Sequence, residues 1–251
     1  FIHLHLQMTT KNKARALIER LGRLVMRLAN LAVPRKCAMC GCRLAIGEHT
    51  ICSACDMDLP RTRYQENPYS NDMAKLLWGR MPVERAAALF FYKPHSASSR
   101  IIHNLKYSGH PETGELMGRM AAAEFAAHGF FDGVDAIVPV PLARKRMRER
   151  GYNQAFEIAR GISAVTRMPI IDKAVIRESF KGSQTKMNRW QRNENVEGVF
   201  SLVDGSALTG KHILIIDDVV TTGATVVSCA RELMKAGDVR FSVMSLGFTK
   251  G

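Results

Sequence analysis

Two adjacent acidic residues, Asp217 and Asp218, follow an apolar run at residues 213–216 that predicts a buried strand. The loop after them combines hydroxyl groups with small residues and precedes a helical pattern. Its backbone N–H groups and the helix start suit a phosphate, while adjacent carboxylates accept hydrogen bonds from sugar hydroxyls or hold Mg²⁺. The segment therefore predicts a site for a phosphorylated sugar. The predicted phosphate loop comprises Thr221, Thr222, Gly223, Ala224 and Thr225.

The elements that must position this segment alternate between strand and helix. Apolar runs predict strands at 85–92, 134–140, 212–216 and 241–248, and helical spacing predicts helices at 96–107, 112–128, 153–166 and 225–236. Such alternation is typical of an α/β fold with a mainly parallel sheet flanked by helices. Ligands of such sheets bind beyond the carboxyl ends of the strands, where we expect the acidic pair.

A cysteine cluster in the N-terminal part of the chain predicts a metal site. Cys37 and Cys40 form one pair with two intervening residues. Cys52 and Cys55 form a second such pair, and eleven residues separate the two pairs. Four thiolates in this arrangement match tetrahedral Zn²⁺, and a site with four protein ligands is structural because no position stays open. Cys42 stands so near Cys40 that we expect it to stay out of the site. Residues 34–60 are thus predicted to be a zinc finger.

The remaining segments carry weaker signals. Residues 1–33 form an amphipathic helix region with arginines between apolar positions, which we expect to cover the body of the protein; docking on a membrane surface or partner is the alternative. Met8 is the expected natural start. Residues 61–82 are polar, contain two prolines and are predicted to be a connector, and residues 83–251 form the main domain. Without a long apolar run or a secretory signal, we expect no transmembrane segment and a cytoplasmic location.

The net charge of +13 is concentrated unevenly. Residues 136–200 contain thirteen basic and six acidic residues, with a run of cations that begins at Arg144 and Lys145. A basic segment attracts nucleic acid, phosphorylated small molecules or anionic lipid. The charge alone does not choose among these partners, and an exposed helix start would explain it equally.

Residues 213–225 resemble the ribose-phosphate-binding signature of type I phosphoribosyltransferases. The resemblance implies that Asp217 and Asp218 hold the ribose hydroxyls of phosphoribosyl pyrophosphate (PRPP), bound with Mg²⁺, and that residues 221–225 hold its 5-phosphate. It also implies a type I phosphoribosyltransferase-like fold for the main domain.

A narrower resemblance rests on four further motifs. The four-cysteine finger, IHNLKY at 102–107, VPVP at 138–141 and RERGYNQ at 148–154 occur in the order found in the ComF family. This family contains phosphoribosyltransferase-like proteins linked to bacterial DNA uptake and natural competence. The resemblance covers residues 34–249.

The family resemblance implies further roles. Val140, Arg144 and Lys145 would meet the pyrophosphate, where cations neutralise a leaving group that gains negative charge. A loop at residues 184–195 would close over the site and exclude water. Lys106 fits a contact to phosphate or acceptor and a surface position equally well.

These observations lead to one expected function with two alternatives. We expect a protein that binds PRPP or ribose 5-phosphate with Mg²⁺ and transfers the ribosyl phosphate to a nitrogen nucleophile. One alternative is a factor that handles single-stranded DNA during transformation, beside a competence helicase and without turnover. The other is a regulator that senses PRPP.

Overall fold

A computed structural model describes residues 35–178 and 199–250 of the chain. The predicted amphipathic helix at the N-terminus, the proposed start at Met8 and the predicted closing loop at 184–195 lie outside the described residues. Within the described ranges, no helix combines the length and apolar character that a membrane span requires.

A four-stranded parallel sheet forms the centre of the structure. The strands in the described residues are β1 (Val83–Phe91), β2 (Ala136–Pro139), β3 (Val175–Arg177), β4 (Phe200–Leu202), β5 (His212–Val220) and β6 (Arg240–Phe248). In the central sheet the order is β1-β6-β5-β2, while β3 and β4 form a separate antiparallel pair. The strands of the central sheet are rich in apolar residues, as expected when both faces are buried.

Helices cover both faces of the sheet. Short 3-10 helices also occur at Tyr64–Glu66 and Met234–Ala236. The α-helices of the described residues are α1 (Ser53–Met57), α2 (Asp72–Leu77), α3 (Ser99–Tyr107), α4 (Pro111–Ala126), α5 (Arg144–Arg150), α6 (Gln154–Thr166) and α7 (Ala224–Leu233).

The core has two layers because successive residues of β5 face opposite sides of the sheet. Leu214 and Ile216 belong to a buried cluster with residues of α3, α4 and α6. Ile213 and Ile215 belong to a second cluster with residues of α2 and α7. The predicted fold class, a mainly parallel sheet flanked by helices with a four-cysteine unit near the N-terminus, is confirmed.

The cysteine unit packs directly on the helical layer of α3 and α4. Its apolar residues, including Cys37 and Ala38, share one buried cluster with these helices. Arg61 adds a polar link, because its guanidinium lies 2.7 Å from Asp56 and 2.9 Å from Glu124 of α4. The unit is therefore held against the body by both apolar and charged contacts.

Two segments differ from their sequence-based description. Residues 61–82, predicted to be a connector, contain α2, whose Met73 and Leu77 are fully buried in the second cluster. The strand predicted at 212–216 continues to Val220, because pairing with β6 extends to Phe248. β2 pairs with β5 only as far as the Pro139 and Ile216 positions. The acidic pair therefore lies inside a strand, beside the point where its β2 neighbour ends.

Candidate functional site

A cavity of about 320 Å³ opens where β2 leaves the sheet and β5 continues. This is the carboxyl edge of the parallel strands, where ligands of α/β proteins bind. It is lined by residues of seven regions of the chain: Tyr92, Lys106, Val140, Pro141, Leu142, Arg146, Arg150, Asn153, Gln154, Ala155, Arg177, Asp217, Asp218, Val219, Thr221 and Thr225.

The acidic pair lines this cavity, as the sequence pattern required. Lys106 of α3 forms an ion pair with Asp218, with 2.9 Å between Nζ and Oδ1. The backbone N–H of Asp218 donates to Oδ1 of Asp217 at 2.8 Å. Each carboxylate is therefore oriented by a specific donor, and oxygens of both remain on a cavity wall that also carries cations.

Asp217 has an unusual protonation equilibrium. Burial, followed by the negative charge of Asp218, raises the pKa of its carboxyl group to about 7. The backbone N–H of Asp218, Lys106 and Arg177 act in the opposite direction. The cavity therefore holds a carboxyl group that changes charge near neutral pH, which is a property found often at functional sites.

Close packing and a hydrogen bond fix the conformation of the threonine loop between β5 and α7. Gly223 has a φ of +72°, and a Cβ there would come within 2.9 Å of Leu77 Cδ2. Arg80 Nη1 donates to the carbonyl oxygen of Thr222 at 2.6 Å. Thr221 and Thr225 line the cavity, whereas Thr222, Gly223 and Ala224 form the turn between them.

The start of α7 adds polar groups to the same wall. The N-cap of α7 is Gly223, which has no side chain to cap the first turn, and the Ala224 N–H donates to Thr222 Oγ1 at 3.4 Å. Its first N–H groups have no carbonyl partner within the helix, and the helix dipole makes this end positive. The loop and helix start together form an anion-binding concavity.

The basic helix α5 presents a different face to the cavity from the one expected. Val140 lines the cavity, but Arg144 and Lys145 are exposed and lie outside its lining. Arg146 and Arg150 line it instead. These two residues are four positions apart and so share one face of the helix.

Two arginines at or beside the cavity were absent from the sequence-based prediction. Arg177 of β3 lines the cavity, with its guanidinium 5.3 Å from the centre of the Phe200 ring. Burial lowers the pKa of Arg177, and the positive charge of Arg146 lowers it further. Arg80, which holds the threonine loop, lies in the segment predicted to be a connector. Neither arginine stands in a recognisable motif, so only the fold reveals them.

A second cavity, of about 590 Å³, adjoins the first. It shares Lys106, Arg146 and Arg150 with the first cavity and is otherwise lined by Tyr107, Gly109 and Glu149. The Tyr107 side chain is 67% exposed, and the Arg150 guanidinium lies 5.2 Å from its ring centre. The second cavity is thus a cationic extension with an accessible aromatic ring.

The cysteine cluster has the spacing that a tetrahedral metal requires. The Sγ atoms of Cys37, Cys40, Cys42 and Cys52 all lie within 4.8 Å of one another. The Cys40 and Cys52 sulfurs are 3.8 Å apart, and four Zn–S bonds of about 2.3 Å in a tetrahedron give about the same separation. The donor set therefore fits a metal such as zinc.

The Cys42 sulfur also lies inside this cluster, a position that its closeness to Cys40 in the sequence did not predict. Gly41 has a φ of +80°, which turns the chain back after Cys40. The backbone N–H of Cys37 also donates to the Cys42 carbonyl at 2.8 Å, which closes the turn. Cys55 makes side-chain contacts with Cys37, Cys40 and Cys52, so five sulfurs surround positions for four ligands.

Hydrogen bonds between the cysteines shift the pKa values of two of them in opposite directions. The pKa of Cys40 is lowered to about 6, chiefly by hydrogen bonds from the backbone and side chain of Cys42. The pKa of Cys42 is raised to about 12 by its hydrogen bond with Cys40. The backbone N–H of Cys52 also donates to Cys37 Sγ at 3.3 Å. The thiolate, the ligand form of cysteine, is therefore favoured at Cys40, whereas Cys42 keeps its proton.

Three relatives place the chain among named bacterial proteins. It is 30% identical over 226 residues to DNA utilization protein YhgH of Escherichia coli (strain K12), covering 86% of this chain and 98% of that protein. It is 32% identical over 113 residues to Competence protein F of Haemophilus influenzae, covering 45% and 49%. With Competence protein ComFC of Bacillus subtilis it shares 33% over 103 residues, covering 40% and 39%. No protein-family model matches the chain.

Two solved structures with partial similarity are enzymes whose names refer to phosphoribosyl groups. An adenine phosphoribosyltransferase from Leishmania donovani has a TM-score of 0.36 and 16% identity, covering 71% of this chain and 80% of that one. Glutamine phosphoribosylpyrophosphate amidotransferase from B. subtilis has a TM-score of 0.35 and 19% identity, covering 52% and 25%. Similarities of this size concern the fold alone.

Replacing Asp217 with Asn should stabilise the protein above neutral pH. The folded-state pKa of about 7 exceeds the ordinary value of 3.8, so the folded chain holds a proton that the unfolded chain loses between these values. The contribution of Asp217 to the free energy of unfolding is therefore present at low pH and is lost as pH rises through about 7. Asp217→Asn keeps an oxygen for the Asp218 N–H, and its gain at pH 8 should reach up to about 4 kcal/mol.

Urea unfolding at pH 5 and pH 8 measures this effect, with a larger gain expected at pH 8. Asp172→Asn, at an exposed position outside the cavity lining, is the matched control. An Asp217→Asn gain that is equal at the two pH values would contradict the assigned titration.

Proposed function

The chain belongs to the ComF family, and from that premise we propose that its first cavity binds PRPP or ribose 5-phosphate together with Mg²⁺. One observation carries the proposal. A single cavity contains two adjacent carboxylates, a threonine loop at a helix start, and three cationic side chains in addition to Lys106. The carboxylates match the ribose hydroxyls of PRPP, the threonine loop matches its 5-phosphate, and the cations match its pyrophosphate.

The 5-phosphate is assigned to the threonine loop. Thr221 and Thr225 line the cavity, and the start of α7 offers N–H groups. Gly223 gives the turn its positive φ, and Arg80 fixes the turn by donating to the Thr222 carbonyl. Within residues 221–225 we therefore assign ligand contacts to Thr221 and Thr225, while the other three residues shape the turn.

The ribose is assigned to Asp217 and Asp218. Neighbouring carboxylates accept hydrogen bonds from the two vicinal hydroxyls, and carboxylate oxygens are also suitable Mg²⁺ ligands. The bound cation would supply positive charge to the pyrophosphate oxygens. Asp217 must be ionised to accept both kinds of contact, so its pKa of about 7 makes binding depend on pH.

The pyrophosphate is assigned to Val140 and the cationic wall. Arg146 and Arg150 of α5 replace Arg144 and Lys145 as the nearest side chains, because they lie on the face that lines the cavity. Arg177 approaches from β3. These residues stabilise the negative charge that develops on pyrophosphate when its bond to the sugar breaks.

The reaction class that follows is phosphoribosyl transfer. A nitrogen nucleophile forms a bond to C1 of the ribose, and the C1–O bond to pyrophosphate breaks with its electron pair leaving on pyrophosphate. The chain contributes by positioning and by charge stabilisation. The second cavity shares three cationic lining residues with the first and offers space through which an acceptor can approach C1 of the ribose.

The relatives' names suggest the setting of this activity. One is called a DNA utilization protein and two are called competence proteins. The proposal therefore includes a role linked to DNA uptake and natural competence, with the cysteine unit as a structural zinc site.

A second candidate function is the handling of single-stranded DNA without turnover. Four of the five cationic side chains of α5 are exposed, and the accessible Tyr107 ring lies beside them. Cations that follow a backbone and an aromatic ring that stacks on bases are the common elements of single-strand binding. A third candidate, a PRPP-sensing regulator, shares the proposed ligand and lacks only the transfer step.

Calorimetry with PRPP and Mg²⁺ should detect binding in the wild-type protein. Asp218→Asn should weaken it at least about 10-fold, because a ribose contact and the Lys106 ion pair are lost together. Asp172→Asn, at an exposed position outside the cavity, is the matched control. Affinity should rise from pH 6 to pH 8 as Asp217 loses its proton. A wild-type protein that produces no binding heat at pH 8 would refute the proposal.

Fluorescence anisotropy with a labelled deoxythymidine oligonucleotide tests the second candidate. If it holds, affinity falls steeply as salt increases, Arg148→Gln weakens binding, and Asp218→Asn leaves it intact. Loss of DNA binding with Asp218→Asn, or affinity insensitive to salt, would count against an independent DNA surface on α5.

Single serine variants test the proposed zinc ligands Cys37, Cys40, Cys52 and Cys55. Metal per chain, measured by atomic emission after dialysis, should fall from one to well below one for each of these variants. We expect Cys42→Ser to retain the metal, because its neighbours supply two complete pairs of ligands. Retention by Cys55→Ser with loss by Cys42→Ser would instead assign Cys42 as the fourth ligand.

A further inference from the structure

Three consecutive residues of α3 contact three different parts of the protein. Asn104 Nδ2 donates to the carbonyl oxygen of Ala38, between the first two cysteines of the cluster, at 2.9 Å. The hydroxyl of Tyr152, after the basic helix, donates to the carbonyl of Leu105 at 2.7 Å. Lys106 Nζ lies 2.9 Å from Asp218. One helical turn thus joins the cysteine unit, the basic segment and the acidic pair.

These contacts link elements that are themselves constrained. Leu105 is fully buried in the same cluster as Cys37 and Ala38. The backbone N–H of Ala38 donates to the Thr50 carbonyl at 2.8 Å, so the turn that carries the acceptor for Asn104 is fixed on both sides. A shift of this turn would change the position of α3, because a short helix moves as one body.

We infer that Asn104 is a positioning residue through which the metal-holding cysteine unit keeps Lys106 against Asp218. The inference rests on the proposed binding of PRPP in the first cavity. A bound metal ties the turn around Ala38 to Cys52, which comes from a separate part of the unit. Asn104 transmits that fixed position to α3.

The consequence concerns ligand affinity. Asp217 and Asp218 carry like charges at neighbouring positions, and Lys106 compensates this repulsion. If the cysteine unit released its metal, the turn around Ala38 would keep its hydrogen bond to Thr50 but lose its link to Cys52, and Lys106 would be held less firmly beside Asp218. Metal occupancy and sugar-diphosphate binding then favour each other, since a coupling between two binding sites is reciprocal.

The reciprocal effect gives a readout that is independent of activity. Zinc release from the loaded full-length protein is followed with a chromogenic chelator, with and without saturating PRPP and Mg²⁺. In the wild type, the ligand should slow release about 5- to 10-fold. Calorimetry on the same samples should show PRPP binding weakened by a similar factor after the metal is removed.

Two variants separate the link from general stability. Asn104→Asp keeps the size of the side chain but removes the donor to Ala38, so the ligand should no longer slow zinc release. Ser108→Ala is the matched control, because Ser108 donates to the other end of the same Asn104 side chain, at 3.2 Å. The control should preserve the full effect, and circular dichroism should show both variants folded.

Lys106→Met supplies a second test at the other end of the link. It leaves the Asn104 contact in place, so zinc release without ligand should match the wild type while the ligand effect disappears. Ligand-dependent slowing that persists in Asn104→Asp overturns the inference while the proposed function stands. Absence of PRPP binding by the zinc-loaded wild type overturns both.

Discussion

Repulsion between two carboxylates at consecutive positions of a central strand is the constraint around which the site is built. Water would screen this repulsion, but Asp217 is only partly exposed, and desolvation together with the charge of Asp218 raises its pKa to about 7. Lys106 forms an ion pair with Asp218, and the positive charge of Arg177 on β3 lowers the pKa of Asp217. The strand can hold the pair only because cations converge on it from distant parts of the chain. The same cations create the surface that a sugar diphosphate needs.

The end of β2 opens the space in which this pair acts. β5 and β6 remain paired up to Val220 and Phe248, whereas β2 stops beside Ile216. The chain after β2 then turns outward into α5, which places Arg146 and Arg150 along one side of the opening. Sheet register therefore determines both where the cavity lies and which charges line it. The cysteine unit stands behind α3 and supports the helix that delivers Lys106.

Several parts of this arrangement could be predicted from local sequence. The apolar run before Asp217, the small threonine loop and the paired cysteines each depend on neighbouring residues, so their spacing already contains the structural information. The participation of Arg80 and Arg177 depends on tertiary packing, and their local sequence carries no sign of it. For α5, spacing indicates that Arg146 and Arg150 share a face, but only the packed structure tells which face meets the cavity. Cys42 joins its cluster through a turn at Gly41 that residue spacing alone did not disclose.

A crystal structure with Mg²⁺ and a non-hydrolysable PRPP analogue tests the central claim most directly. The account predicts ribose hydroxyls within hydrogen-bond distance of Asp217 and Asp218 carboxylate oxygens. It also predicts the 5-phosphate against the Thr221–Thr225 loop and the pyrophosphate beside Arg146 and Arg150. An analogue bound elsewhere, or bound in this cavity with its ribose away from both carboxylates, would contradict the account.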